Sequence, residues 1–143
     1  MGTLSRLVIA QLLITRTSED QIIAIVRNAT KVAGLAARGI EIRQAEYGDP
    51  GAWPAALDGV DQVLLISVSG PGASRAHSSV IVAAAQPDVG RIAYMSIIHP
   101  DASSNPAGGR ARRHGALIAA TGIPAATLRN AWYHELHTTL LPQ

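Results

Sequence analysis

Two cations set four residues apart, Arg27 and Lys31, carry the most specific chemistry in this 143-residue chain. With Asn28 between them, they follow directly on the apolar run Ile22-Ile23-Ala24-Ile25-Val26. A helix predicted from Thr30 would point the positive end of its dipole at them, so cations placed there are more economically explained by an anionic ligand than by chance, although two surface cations at a helix start remain the plain alternative. Other groupings promise less. His134-Glu135-Leu136-His137 sets two imidazoles three residues apart but is not H-E-x-x-H and lacks a third ligand, so no metal site is expected. Ser67, Ser69, Ser78 and Ser79 lie in no G-x-S-x-G nucleophile elbow. Asn28-Ala29-Thr30 matches a glycosylation sequon, and its match is read as coincidence because no signal peptide is recognised. Arg110, Arg112 and Arg113 form either a solvated helix face or an anion-facing patch, with no aromatic residue interleaved to stack bases.

The elements that must position these groups are legible from periodicity. Leu4, Leu7, Val8, Gln11 and Leu12 recur at helical spacing. Ile22 to Val26 reads as a strand covered on both faces, Thr30 to Arg38 as a helix stopped by Gly39, and Ile40 to Arg43 as a half-exposed strand. After the turn Tyr47-Gly48-Asp49-Pro50-Gly51 comes a short helix through Trp53, Ala56 and Leu57. Val63-Leu64-Leu65-Ile66 is the most hydrophobic strand and is expected at the centre of the sheet. A Gly/Ser/Pro loop from Ser67 to Ser74 leads into a helix from Ala76 to Gln86. Strand Arg91 to Ile97, loop His99 to Gly109, helix Arg110 to Thr121, strand Ala125 to Arg129 and a terminal helix complete the chain. Alternating strands and helices predict an α/β fold: a Rossmann-like, doubly wound parallel sheet with helices on both faces. In such sheets ligands bind beyond the carboxyl ends of the strands. There Arg27 with Lys31 suits the 2′-phosphate of NADP(H), whereas NAD(H) would favour a carboxylate.

Composition bounds the class. With 48% hydrophobic and 15% charged residues, no cysteine and a net charge of +2, the chain reads as one globular domain over residues 1–143. Such a length can bury roughly 70% of the unfolded surface, so no disulfide or metal staple is needed. The absence of cysteine excludes thiolate metal sites and thiol nucleophiles. The charge is too small to argue for nucleic acid. The N-terminal apolar run is interrupted by Gln11 and followed by Arg16, with no cleavage site, so neither a signal peptide nor a membrane span is expected, and the chain is placed in the cytoplasm.

Five ordered segments resemble the NmrA-like atypical short-chain dehydrogenase/reductase family. They are Ile22 to Asn28 with Lys31, Ile42 to Asp49, Leu64 to Ser67, Ala93 to His99, and Thr127-Leu128-Arg129-Asn130-Ala131-Trp132-Tyr133. Within the family they are most similar to the bacterial NAD(P)H:quinone oxidoreductases. The resemblance implies that Arg27, Asn28 and Lys31 meet the 2′-phosphate end of NADP(H), that Tyr47 and Asp49 flank the adenine, and that Ser67 and Ser69 line the track to the nicotinamide. Ser96, Ile97 and His99 would border the nicotinamide and a quinone or similar acceptor, with Asn130, Trp132 and Tyr133 as the far wall. Structural alternatives stay open for several of these. Trp132 and Tyr133 could anchor the last helix, Ser96 could serve only as a strand-end hydrogen bonder, and His99-Pro100 could be only a turn.

The sequence also departs from the family. Its glycine-rich first turn is represented only by Gly2-Thr3-Leu4-Ser5, with Gly2 at the second glycine position, and the usual first strand is lacking. Losing that strand would leave two strand edges unpaired, which the chain must close, fill with another strand or tolerate, and homo-oligomers through exposed edges become an expectation. Ala111, Gly115 and Ala116 stand where the family has His, Glu and Lys, and His114 is out of that register. No Tyr-x-x-x-Lys occurs, and the family's substrate-binding portion does not follow, so the resemblance implies a member shortened at both ends. Three functions are compatible: an NAD(P)H-dependent quinone oxidoreductase, a non-catalytic NADP(H)-sensing or partner-binding regulatory module, and an inactive fragment.

Overall fold

A computed structural model describes residues 2–15, 17–68, 70–85, 89–104 and 106–131. Helix α1 (Thr3–Ile14) is followed by strand β1 (Ile23–Val26), a 3-10 turn over Ala29–Val32 that continues into α2 (Ala33–Ala36), and strand β2 (Glu41–Gln44). Then come α3 (Ala52–Ala56), β3 (Gln62–Leu65), α4 (Ala73–Ala84), β4 (Arg91–Ile97), α5 (Pro106–Thr121) and β5 (Ala125–Asn130). All the pairings are parallel, with Ile23 opposite Glu41, Gln62 opposite Arg91 and Ile92 opposite Ala125. The chain has the Rossmann-like α/β fold that the alternation of elements predicts.

The larger core lies between the β3–β5 sheet and helices α3, α4 and α5. Leu65, Ile81, Ile92, Tyr94 and Ile118 are buried there with Trp53. A smaller core joins Ile9 and Leu13 of α1 to Ile22, Ala24 and Ile40. The helical spacing at the N-terminus therefore does mark a helix, but its inward stripe runs through Ile9 and Leu13, while Leu7 and Leu12 face solvent. The elements expected over Ala76 to Gln86 and Arg110 to Thr121 begin earlier, at Ala73 and Pro106. The helix expected over Thr30 to Arg38 is broken: a 3-10 turn occupies its start and α2 is a single turn.

The strands do not form one sheet. β1 pairs only with β2, and β3, β4 and β5 form a separate ladder with β4 in the middle. This corrects the expectation that Val63 to Ile66 is central: β3 is an edge, since nothing among the described residues ladders onto its other side. β1 likewise keeps one open edge, and the two strands do not run side by side. Ile25 of β1 still packs against the larger core, and Arg43 of β2 donates to the Ala56 carbonyl at 3.1 Å, so both ladders belong to one body. The terminal helix expected after β5 lies outside the described residues.

Candidate functional site

Within each ladder the strands run the same way, so their carboxyl ends open on one edge of that ladder, and most of the residues selected from sequence follow those strand ends. At the end of β1, Arg27 and Lys31 are exposed, and neither meets a carboxylate among the described residues. The Gln44 side chain donates to the Arg27 carbonyl at 3.0 Å, tying the ends of β1 and β2 together. Arg6 of α1 donates to the Lys31 carbonyl at 3.2 Å, which brings a third cation to the same place. Sequence reasoning missed Arg6, since only the packing of α1 against β1 places it there. The helix-dipole argument for Arg27 and Lys31 does not hold, because the single turn of α2 has little macrodipole. What remains is Arg27 and Lys31, with Arg6 beside the Lys31 backbone, and no acidic partner for any of them among the described residues.

Asn28 has a local task. Its Oδ1 accepts from the Thr30 N–H at 2.9 Å and from the Thr30 hydroxyl at 2.6 Å, capping the 3-10 turn. Asp49 likewise turns inward and accepts from the Gly51 N–H at 3.0 Å. Tyr47 is half-buried against Trp53, with ring centroids 5.3 Å apart. Burial pushes its phenol upward, and the Arg27 guanidinium partly offsets this, so the ends of β1 and β2 share one electrostatic neighbourhood.

At the other strands the Ser67 hydroxyl donates to the Met95 carbonyl, pinning the end of β3 to β4. Asn130, opposite Ile97, sends its amide to the Met95 sulfur at 3.3 Å. Ile97 is half-buried, and His99 takes a left-handed φ of 45°, so the chain turns sharply there and His99 faces solvent. Ser69, Trp132 and Tyr133 lie outside the described residues.

Ser96 is buried and lines a hollow of about 240 Å³ with Pro100, Asp101, Ala111, Arg112, Gly115, Thr127 and Arg129. Arg112 donates to the Pro100 carbonyl, which assigns one member of the arginine cluster to holding the loop after β4. The face that α5 turns to Ser96 is made by Ala111 and Gly115 and offers no acid, base or cation from those positions. Among the described residues no group of three metal-ligating side chains is found, and the His134/His137 pair lies outside them.

These residues fit a dinucleotide at one end better than at the other. The cations follow the end of β1, and a positive patch there suits an anionic group. The amino end of α1 has no side-chain cap, and a Cβ built on Gly2 meets nothing within 4 Å, so the space before the helix is open. From α5 the hollow receives Ala111, Gly115 and Arg112, the last already engaged by the Pro100 carbonyl. This is the architecture of a Rossmann-like nucleotide-binding protein.

Comparison with known proteins specifies the class. The chain belongs to the NAD(P)H-binding family, whose model matches residues 1–135. It is 44% identical over 146 residues to quinone oxidoreductase 2 of Escherichia coli K12, covering 99% of this chain and 49% of that protein. Among solved structures it is similar to the NADPH complex of the E. coli NADPH-dependent quinone oxidoreductase, with a TM-score of 0.90 and 40% identity over 96% of this chain and 49% of that one. It is also similar to triphenylmethane reductase of Citrobacter sp. complexed with NADP(H), with a TM-score of 0.89 and 34% identity over 95% of this chain and 49% of that one. The chain thus spans about half the length of the relatives it matches.

Proposed function

We propose that this chain binds NADP(H) along the carboxyl edge of its parallel strands, as the cofactor-binding half of a quinone-reducing oxidoreductase. The observation that carries this reading is that Arg27 and Lys31 follow the end of β1, with Arg6 brought to the Lys31 carbonyl, and that none of the three has an acidic partner among the described residues. Arg27 and Lys31 hold the 2′-phosphate. Tyr47 flanks the adenine from its seat on Trp53, and the Asn28 and Asp49 caps shape the loops on either side. The Ser67 to Gly72 loop borders the middle of the cofactor with Ser69. Ser96, Ile97, His99, Asn130, Trp132 and Tyr133 enclose the reaction end, where a quinone or similar acceptor enters. When bound, the reduced nicotinamide supplies the hydride. The residues present bind, orient and exclude water.

Thermal melting tests the reading. NADPH is expected to raise Tm more than NADH does. Arg27→Ala is expected to weaken NADPH binding by about tenfold to a hundredfold, the worth of charge-assisted hydrogen bonds, and to leave NADH unchanged. No shift at millimolar NADPH, or equal shifts with both cofactors, would overturn it.

A second reading is favoured by Ala111 and Gly115. With no acid or base on that face of α5, the chain would sense NADP(H) without turning it over. Loss of NADPH absorbance with a simple benzoquinone separates the two, since it occurs only in the first. Self-association through the open strand edges is part of this reading, as is a cytoplasmic protein that engages neither nucleic acid nor membrane. No helix among the described residues is long and apolar enough to cross a membrane.

A further inference from the structure

Beneath the carboxyl edge lies a cluster of rings that none of the assignments above uses. His77 of α4 is 2% exposed and His114 of α5 is 1% exposed. Their rings meet edge to face, with centroids 4.9 Å apart and planes at 82°. Tyr94 of β4 closes on both, with centroids 6.4 Å from His77 and 5.7 Å from His114.

The partners fix both tautomers. The Val68 N–H donates to His77 Nε2 at 3.0 Å, so Nε2 carries the lone pair and the proton sits on Nδ1. His114 Nε2 lies 3.2 Å from the Ser74 carbonyl, which can only accept, so this nitrogen bears the proton. His114 Nδ1 therefore accepts from the Tyr94 hydroxyl at 3.0 Å. Both imidazoles are neutral. Burial pushes both below the usual histidine range, His77 to about 4, helped by His114 and Arg110.

His77 Nδ1 is buried with no hydrogen-bond partner among the described residues. An aliphatic side chain would fill the same space without burying an unpaired donor, so His77 must supply something that leucine could not. What it supplies is the acceptor for the Val68 N–H, one residue after the Ser67 hydroxyl is pinned to β4. Beyond Val68 the loop runs through Gly70 at φ 112° and Gly72 at φ 79°, a backbone with little stiffness of its own.

We propose that His77 is a positioning residue, whose Nε2 holds the Val68 backbone so that the loop after β3 keeps the path that borders the cofactor, with His114 and Tyr94 as its buttress. This rests on reading the carboxyl edge as the NADP(H) site. A proton on Nε2 would displace the Val68 N–H, which makes the anchor acid-sensitive. The groups facing His77 that set this sensitivity are His114 and Arg110 of α5, Tyr94 of β4, and Tyr47 after β2.

Amide exchange at Val68, measured with and without NADPH, tests the anchor. In His77→Leu the Val68 protection factor is expected to fall about tenfold while β4 amides keep theirs, and NADPH affinity to fall by a similar factor. In His77→Gln, whose Oε1 can accept, both are expected to return most of the way. Wild-type Val68 protection should decline as pH falls toward 4, whereas that of the glutamine variant should not. Equal Val68 protection in wild type and His77→Leu, or a glutamine variant that behaves like leucine, would overturn the proposal. If His77→Leu does not fold, the pH profiles of wild type and His77→Gln decide alone. Absent NADPH binding in wild type would sink the cofactor reading but leave the exchange result to judge His77.

Discussion

Single residues here do tasks that their type alone does not reveal. Asn28 and Asp49 both sit where a ligand contact was expected, yet each spends a carbonyl or carboxylate oxygen on a nearby backbone N–H. Both side chains thereby hold the turns they sit in. Arg27 and Lys31 are different, since no carboxylate among the described residues pairs with them. The buried histidines carry a stability prediction. Burial lowers both imidazoles in the folded protein, His77 to about 4, so between the unfolded value near 6.5 and that folded value the unfolded chain binds more protons at His77, and His114 adds in the same direction. Stability is therefore highest above about pH 6.5, falls as the pH drops toward 4 and levels off below, the His77 share being on the order of 3 kcal/mol. Urea unfolding at pH 7 and at pH 4.5 checks this, and His77→Gln should show the shallower slope.

At the scale of elements, most strands and helices were legible from periodicity, because β-branched runs and i, i+4 stripes are local signals. The starts of helices were less so. α5 begins at Pro106, four residues ahead of its expected first residue, and its first turn packs closely on the loop after β4. Gly108 shows this. A Cβ there would come within 2.7 Å of the Ser103 Cβ and 2.9 Å of the Pro100 carbonyl, so the first turn of α5 lies flush on the loop after β4. Gly108→Ala is expected to destabilise by about 1–3 kcal/mol, the usual range for overpacking, as read from the denaturation midpoint at unchanged m-value. The helix at Thr30 failed for a related reason. Asn28 diverts the backbone into a 3-10 turn, a competition between side chain and helix that hydrophobic spacing cannot register.

At the scale of the whole molecule, the edges of β1 and β3 that no described residue pairs with dominate. On one face of the β3–β5 sheet, Leu64 and Leu128 remain 39% and 45% exposed, so apolar surface and unpaired strand edges occur together. Such a surface is prone to pair with another chain. A strand of about five apolar residues fused ahead of Gly2 is expected to join the two ladders, because ladder hydrogen bonds each contribute roughly 0.5–1.5 kcal/mol net. Tm should rise, and sedimentation should show less self-association than in the unmodified chain; an unchanged Tm would show that the gap does not accept a strand.

The amino-acid sequence by itself determined the class of fold, the parallel order of its elements and the presence of Arg27 and Lys31 just past β1, since these follow from local periodicity and from the residues that end each strand. Only the tertiary structure decided that the strands divide into two ladders, that Arg6 joins Arg27 and Lys31, and that His77 and His114 lock together under the site. Each of these depends on residues far apart in the chain meeting at a few ångströms, and that proximity leaves no periodic trace in the order of residues.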